Sequence, residues 1–334
     1  MDKEIFNGIF FIYIHQLKTF CCYFQMLQTK KNTIFIGAAF AIAAAIIWSG
    51  NFIVAKGVAN IIPPISLSFY RWAIATVIIA PFALKQFKKE TSVIWQHKQY
   101  IFFTAFTGIA FFNTCIYFAG HHTSAINLAF IGTTTSPVIS VFLAAVFLKE
   151  KISVGRIVGL LICITGILFL LANGSIKTLL HLQFSKGDGW ILLAALSFAI
   201  YNTLVKKKPL AISAIPFLFI LFLTGTLILM PFYFWELTQY APVKWNASLA
   251  AILLYIGLGA SIMAFFFWNK AVAKLGAART AMFGYLTPVF SSIEAVLLLQ
   301  EKITWVHIVC GLLVITGLVI ANLHVYSKEK PVIN

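Results

Sequence analysis

Residues 137–152, PVISVFLAAVFLKEKI, align without a gap on residues 288–303, PVFSSIEAVLLLQEKI, at an offset of 151 positions. The alignment sets Pro137 on Pro288, Ser140 on Ser291, and Glu150-Lys151-Ile152 on Glu301-Lys302-Ile303. Outward from there, the same offset sets Asn51 on Asn202, Val54 on Val205, Lys56 on Lys207, Gly108 on Gly259, and Ile164-Thr165-Gly166 on Ile315-Thr316-Gly317. Matched leucines or isoleucines arise from composition alone. Asn, Pro, Glu-Lys and Thr-Gly at one constant spacing require a duplicated unit.

The chain has 334 residues, of which 61% are hydrophobic and only 10% charged, against roughly 25% charged in soluble domains. Its mean hydropathy is +0.93. A water-soluble enzyme, a secreted disulfide scaffold and a disordered chain are excluded together. Apolar runs predict membrane spans at 33–55, 65–84, 100–120, 125–148, 155–172, 189–206, 214–235, 248–268, 276–299 and 304–323. Each repeat therefore holds five helices. Because five is odd, the second copy enters the membrane from the opposite side, which predicts an all-α integral membrane fold of two inverted five-helix repeats.

The net charge is +16, and its distribution along the chain argues against a nucleic-acid partner. Loops on one side carry Lys85, Lys88, Lys89, Lys206, Lys207, Lys208 and Arg279, among seventeen basic residues. The other side carries five: Lys56, Lys177, Lys186, Lys244 and Lys302. The positive-inside rule then places both ends of the ten-helix body in the cytoplasm. Residues 1–32 are expected to be an interfacial or disordered tail, since His15, Gln16 and Lys18 interrupt its apolar stretch. That stretch lacks the small-residue cleavage site of a signal peptide. The repeats are expected at 33–172 and 187–325, followed by a cytoplasmic tail at 326–334. The five cysteines lack a C-x-x-C pair and read as small core hydrophobes.

The stretch Ile47-Trp48-Ser49-Gly50-Asn51 through Lys56 is followed by Phe69-Tyr70-Arg71-Trp72. Each half then has a proline with a glutamate thirteen residues later, and a glycine-containing last helix. In these features the chain resembles the EamA-type drug/metabolite transporters over about residues 33–325. The resemblance implies ten helices, a central cavity and export of amino acids or other small metabolites from a cell (inner) membrane. Residues 1–30 lie outside the pattern, and Glu294 stands where the family usually has an apolar residue.

Inverted repeats exchange conformations about a midplane site, so the site residues are sought near the middle of the spans. Pro137 and Pro288 each lie near a span centre, remove a backbone donor and are candidate kinks or gates. Arg71 lies six residues into the second span, roughly 9 Å along the helix, at the depth of Glu294. An Arg71–Glu294 ion pair is one reading, and separate roles with snorkelling to the interface is another. Arg71 alone offers a bidentate fork for a solute carboxylate, with helix packing as the plainer alternative. Trp48, Tyr70, Tyr117, Trp268 and Tyr285 supply aromatic faces with polar tips, and Asn51, Asn113 and Asn202 supply donors and acceptors. Such a set suits a zwitterionic or aromatic metabolite.

No P-loop, G-x-S-x-G or H-E-x-x-H pattern occurs, so no cofactor, bound metal or catalytic residue is expected. The expected partners are a small-molecule solute and the lipid bilayer, with a homodimer left open. Export by a secondary transporter is the leading reading. Uptake by the same fold, or an integral-membrane enzyme or sensor, are the alternatives.

Overall fold

The computed structural model describes residues 32–51, 54, 57–122, 125–150, 152–172, 174, 175, 177, 178, 186–290, 293 and 304–323. They form α1 (Asn32–Asn51), α2 (Pro64–Gln96), α3 (Lys98–His122), α4 (Ala125–Leu148) and α5 (Val154–Leu171). The second half supplies α6 (Lys186–Lys206), α7 (Ala214–Leu237), α8 (Ala247–Leu275), α9 and α10 (Trp305–Leu323). Helix α9 opens at Ala277–Met282, tightens into a 3₁₀ turn at Phe283–Tyr285 and continues through 290. No strand occurs among the described residues. Helices α1, α2, α3, α6, α7 and α8 are long and apolar enough to cross a membrane, and α4, α5 and α10 contain shorter apolar stretches. Residues 1–31 and 326–334 of the expected tails and Glu294 lie outside the described residues, while Asn32 opens α1.

Hydropathy marks where lipid ends, not where a helix ends. The second span was expected to stop at 84, yet α2 continues through Lys85, Lys88, Lys89 and Glu90 to Gln96. Between Pro81 and Gln96 there is neither Gly nor Pro, and the run Ala-Leu-Lys-Gln-Phe-Lys-Lys-Glu at 83–90 is rich in good helix formers. Only His97 separates α2 from α3.

Helices α2 and α7, equivalent in the two repeats, pack on each other, as do α5 and α10; α6 packs against both α3 and α4. In lipid, helices associate through close packing of small residues. At the α5–α10 crossing, a Cβ on Gly317 would lie 2.6 Å from both Cys163 Sγ and the Gly159 carbonyl oxygen. Gly108 of α3 likewise gives its space to the Tyr201 ring of α6. Both third helices carry a π-helical segment at matching positions, Phe106–Phe111 in α3 and Tyr255–Met263 in α8. A π segment shifts the backbone register and turns carbonyls outward. The Thr107 carbonyl accepts from Ser197 Oγ at 2.7 Å, and the Ala260 carbonyl becomes a fixture of the site described below.

The α2–α7 pair is fastened at both ends by carboxylates. Glu236, near the end of α7 and 2% exposed, accepts from the backbone N–H groups of Ile65 and Ser66 and from Ser66 Oγ at the start of α2. Glu90 of α2 accepts in turn from the backbone N–H and the hydroxyl of Ser213, the residue that precedes α7. Each acid fills orphan donors at a helix start and complements its positive dipole end. Replacing Glu236 by Ala leaves those donors buried without an acceptor and is expected to cost about 2–4 kcal/mol. The unfolding midpoint in detergent should fall accordingly, with Glu236→Gln, which keeps one acceptor oxygen, falling less.

Candidate functional site

A cavity with about 710 Å³ of empty space, its open mouth included, lies between the two halves. Its wall comes from Trp48 and Asn51 of α1, Phe112, Asn113 and Ile116 of α3, and Ser136 and Pro137 of α4. The second half contributes Ala194, Phe198 and Asn202 of α6, Trp268 of α8, and Ala281, Gly284 and Thr287 of α9. The aromatic part is a connected box. Phe112 stacks on Phe198 at 4.4 Å between centroids, while Trp48 meets Trp268 at 5.0 Å and Phe198 edge-on at 5.5 Å.

The two asparagines 151 positions apart are held in the same way. In the first half Tyr117 Oη donates to Asn51 Oδ1 at 3.4 Å; in the second, Trp268 Nε1 donates to Asn202 Oδ1 at 2.7 Å. Tyr117 and Trp268 are themselves 151 apart, so each repeat sets a polar-tipped aromatic of its third helix on an asparagine of its first. An indole N–H only donates, which orients the Asn202 amide with its oxygen toward Trp268. Its Nδ2 then faces Ser140 Oγ at 3.4 Å.

Arg71 breaks the symmetry. Its side chain is fully buried, and its guanidinium links four helices. Nε donates to Ser261 Oγ at 2.7 Å, Nη1 to Asn51 Oδ1 at 2.8 Å and Tyr117 Oη at 2.9 Å, and Nη2 to the Ala260 carbonyl at 2.9 Å. That carbonyl, within the π segment of α8, also accepts from Trp48 Nε1 at 2.8 Å. The guanidinium carbon lies 4.9 Å from the Trp72 ring centroid, within cation–π range. All four of these acceptors are neutral. In the second repeat the equivalent of Arg71 is Phe222, whose ring packs 5.0 Å from Trp72.

Of the residues singled out in the sequence, Trp48, Asn51, Asn113, Asn202, Trp268 and Pro137 line the cavity. Arg71 and Tyr117 stand one layer behind Asn51. Tyr70 lies elsewhere, bonded to Tyr233 Oη at 2.7 Å and edge-on to Trp245 at 5.2 Å. Tyr285 is buried in the cluster around Cys163 and Cys310. Pro288 is buried in α9 one residue beyond the lining Thr287. The 3₁₀ turn at Phe283–Tyr285 falls where the Pro288 ring crowds the preceding turn. The Arg71–Glu294 pairing falls on a residue outside the described ones. Phe112, Phe198, Gly284 and Thr287 were not anticipated.

A second constellation joins one end of α4 to α5 and α9. Glu150 Oε1 accepts from the Ala277 backbone N–H at 3.2 Å, and Oε2 lies 3.9 Å from Arg156 Nη1. Gly276 makes room for it: its φ is 89°, and a Cβ there would stand 2.7 Å from Glu150 Oε1. Among the described residues, no group of three His, Cys, Asp or Glu is placed to hold a metal ion.

The EamA-like transporter family model matches residues 35–172 and again residues 185–323. A transporter of Archaeoglobus fulgidus is 23% identical over 275 residues, covering 81% of this chain and 92% of its own. The Bacillus subtilis transporter YetK is 25% identical over 299 residues, 89% of each chain. A probable terminal-alkyne amino-acid exporter of Streptantibioticus cattleyicolor is 26% identical over 195 residues, 58% of this chain and 63% of its own. A crystal structure superposes with a TM-score of 0.71 at 16% identity, over 90% of this chain and 99% of that one, which shows a shared fold. The chain belongs to the EamA-like transporter family and is a multi-pass membrane transporter.

A lysine carries the Arg71 charge but not its planar fork, and its three donors on one nitrogen cannot reproduce the four bonds that Nε, Nη1 and Nη2 make. Arg71→Lys is expected to lower stability by about 1–3 kcal/mol, read as a lower unfolding midpoint in detergent. Tyr117→Phe, which removes one hydroxyl and leaves the guanidinium in place, should cost less.

Proposed function

We propose that the chain is a secondary transporter of the cell (inner) membrane that exports a small organic metabolite by alternating access. The observation that carries this reading is the matched pair Asn51 and Asn202, each held by the third helix of its own repeat and both facing one cavity. Two related halves around a shared site can exchange conformations and open it to either side in turn. The excess of basic residues on one side supports cytoplasmic ends for the ten-helix body. The export named for the Streptantibioticus cattleyicolor relative supports the outward direction. Uptake by the same cycle is the second reading.

In this account the Glu150 contacts to Ala277 and Arg156 close the cytoplasmic mouth while they hold, because they tie α4 to α5 and α9. At the 151-residue offset Glu301 is the sequence counterpart of Glu150, and it lies outside the described residues. Pro137 and the 3₁₀ turn before Pro288 leave α4 and α9 with fewer backbone hydrogen bonds to break, so these helices bend as the mouths exchange.

Cells overproducing the chain should be compared with cells overproducing Asn202→Leu at equal protein level, by metabolite profiling inside and outside the cell. A solute enriched outside only with the intact chain is the expected result. Enrichment inside would reverse the direction, and identical profiles would overturn the transport reading of this cavity.

A further inference from the structure

The cavity is rich in donors. Asn51 Oδ1 is occupied by Arg71 and Tyr117, and Asn202 gives Oδ1 to Trp268 and one Nδ2–H to Ser140, so Asn51 keeps its amide N–H groups and Asn202 its second N–H as the remaining polar ends. Asn113 is 1% exposed and lines the same cavity. Its Nδ2 has no hydrogen-bond partner among the described residues. A buried donor without an acceptor costs about 1–3 kcal/mol, and a cavity built to offer one is completed by a ligand that accepts. Behind Asn51 stands the permanent cation of Arg71, spent on neutral oxygens, so its field is not cancelled within its own hydrogen-bonding set. Among the described residues, no acidic side chain lines the cavity. The remaining wall is the aromatic box of Trp48, Phe112, Phe198 and Trp268.

We infer that the cavity takes an organic monoanion, whose carboxylate accepts from the amides of Asn51, Asn113 and Asn202 and whose apolar body lies against the aromatic box. Arg71 is a positioning residue here: it turns the Asn51 amide toward the solute and adds a positive potential without touching it. Among the described lining residues, a cation finds no counter-charge and the ammonium of a zwitterion no carboxylate. The inference rests on the reading of this cavity as the solute site.

The test uses the full chain in detergent with four probes of one shape: 3-phenylpropionate, its neutral amide 3-phenylpropanamide, the zwitterion phenylalanine and the cation phenethylamine. The rise in unfolding midpoint with concentration gives each affinity. The acid should bind best, and Asn113→Asp, which sets a carboxylate where the anion would sit, should weaken it by roughly tenfold or more. Asn113→Leu guards against misfolding of the Asp variant and should abolish the preference for the acid over the amide. Equal binding of acid and amide, tighter binding of phenylalanine or phenethylamine, no binding of the acid, or an unchanged preference in both variants would each overturn the inference. Counterflow of labelled 3-phenylpropionate in proteoliposomes separates the two claims. Binding without flux would keep the anion site and remove the transport reading.

Discussion

A guanidinium buried within a bilayer has to find its acceptors inside the protein, because hydrocarbon supplies none. Arg71 finds them on α1, α3 and α8, and each is available for a separate structural reason. The Ala260 carbonyl lies in the π-helical segment of α8 and accepts from Arg71 and Trp48 together. Ser261 Oγ is steered by its own bond to the Ile256 carbonyl, at 2.8 Å in the same segment. Asn51 is the lining residue that the arrangement orients. Through these bonds one charge fixes the wall of the cavity without entering it. The same constraint explains Glu236: the start of α2 is buried, and the N–H groups of Ile65 and Ser66 would otherwise lack an acceptor.

Symmetry and its breaking divide the labour. Equivalent helices pack on each other, α2 on α7 and α5 on α10, and equivalent asparagines line one cavity. Such an arrangement gives the two halves comparable alternative packings, the condition for exchange of the open side. Arg71 against Phe222, and Tyr117 against Trp268, make the two walls chemically different. A solute with one charged end and one apolar body therefore meets one preferred orientation.

The fold was legible in the sequence because its two strongest signals are long in range: uninterrupted apolar runs and a constant offset of matched polar residues. Part of the site was legible for the same reason, since Asn51 and Asn202 lie at that offset. The pairing of Tyr117 with Trp268 was equally within reach, being at the same spacing, but their roles differ by residue type and so escaped a search for identity. Other features were out of reach. The π segments leave no mark in apolar periodicity, and Phe112 and Phe198 are indistinguishable from the other phenylalanines of a chain that contains 33. The true length of α2 was hidden because charge ended the hydropathy signal before the helix ended. Arg71 was recognised as exceptional from its cost in lipid, yet its acceptors come from α1, α3 and α8, which no local pattern brings together.

The central claim is that one cavity opens to both sides of the membrane in turn. The most direct measurement places a single cysteine at Ser136, on the cavity wall, in a chain whose five natural cysteines have been replaced. It is then labelled with a membrane-impermeant maleimide in right-side-out and in inside-out vesicles. Alternating access predicts reaction from both sides, in the same protein population and at a rate that solute alters. Reaction from one side only, whatever the solute, would contradict it.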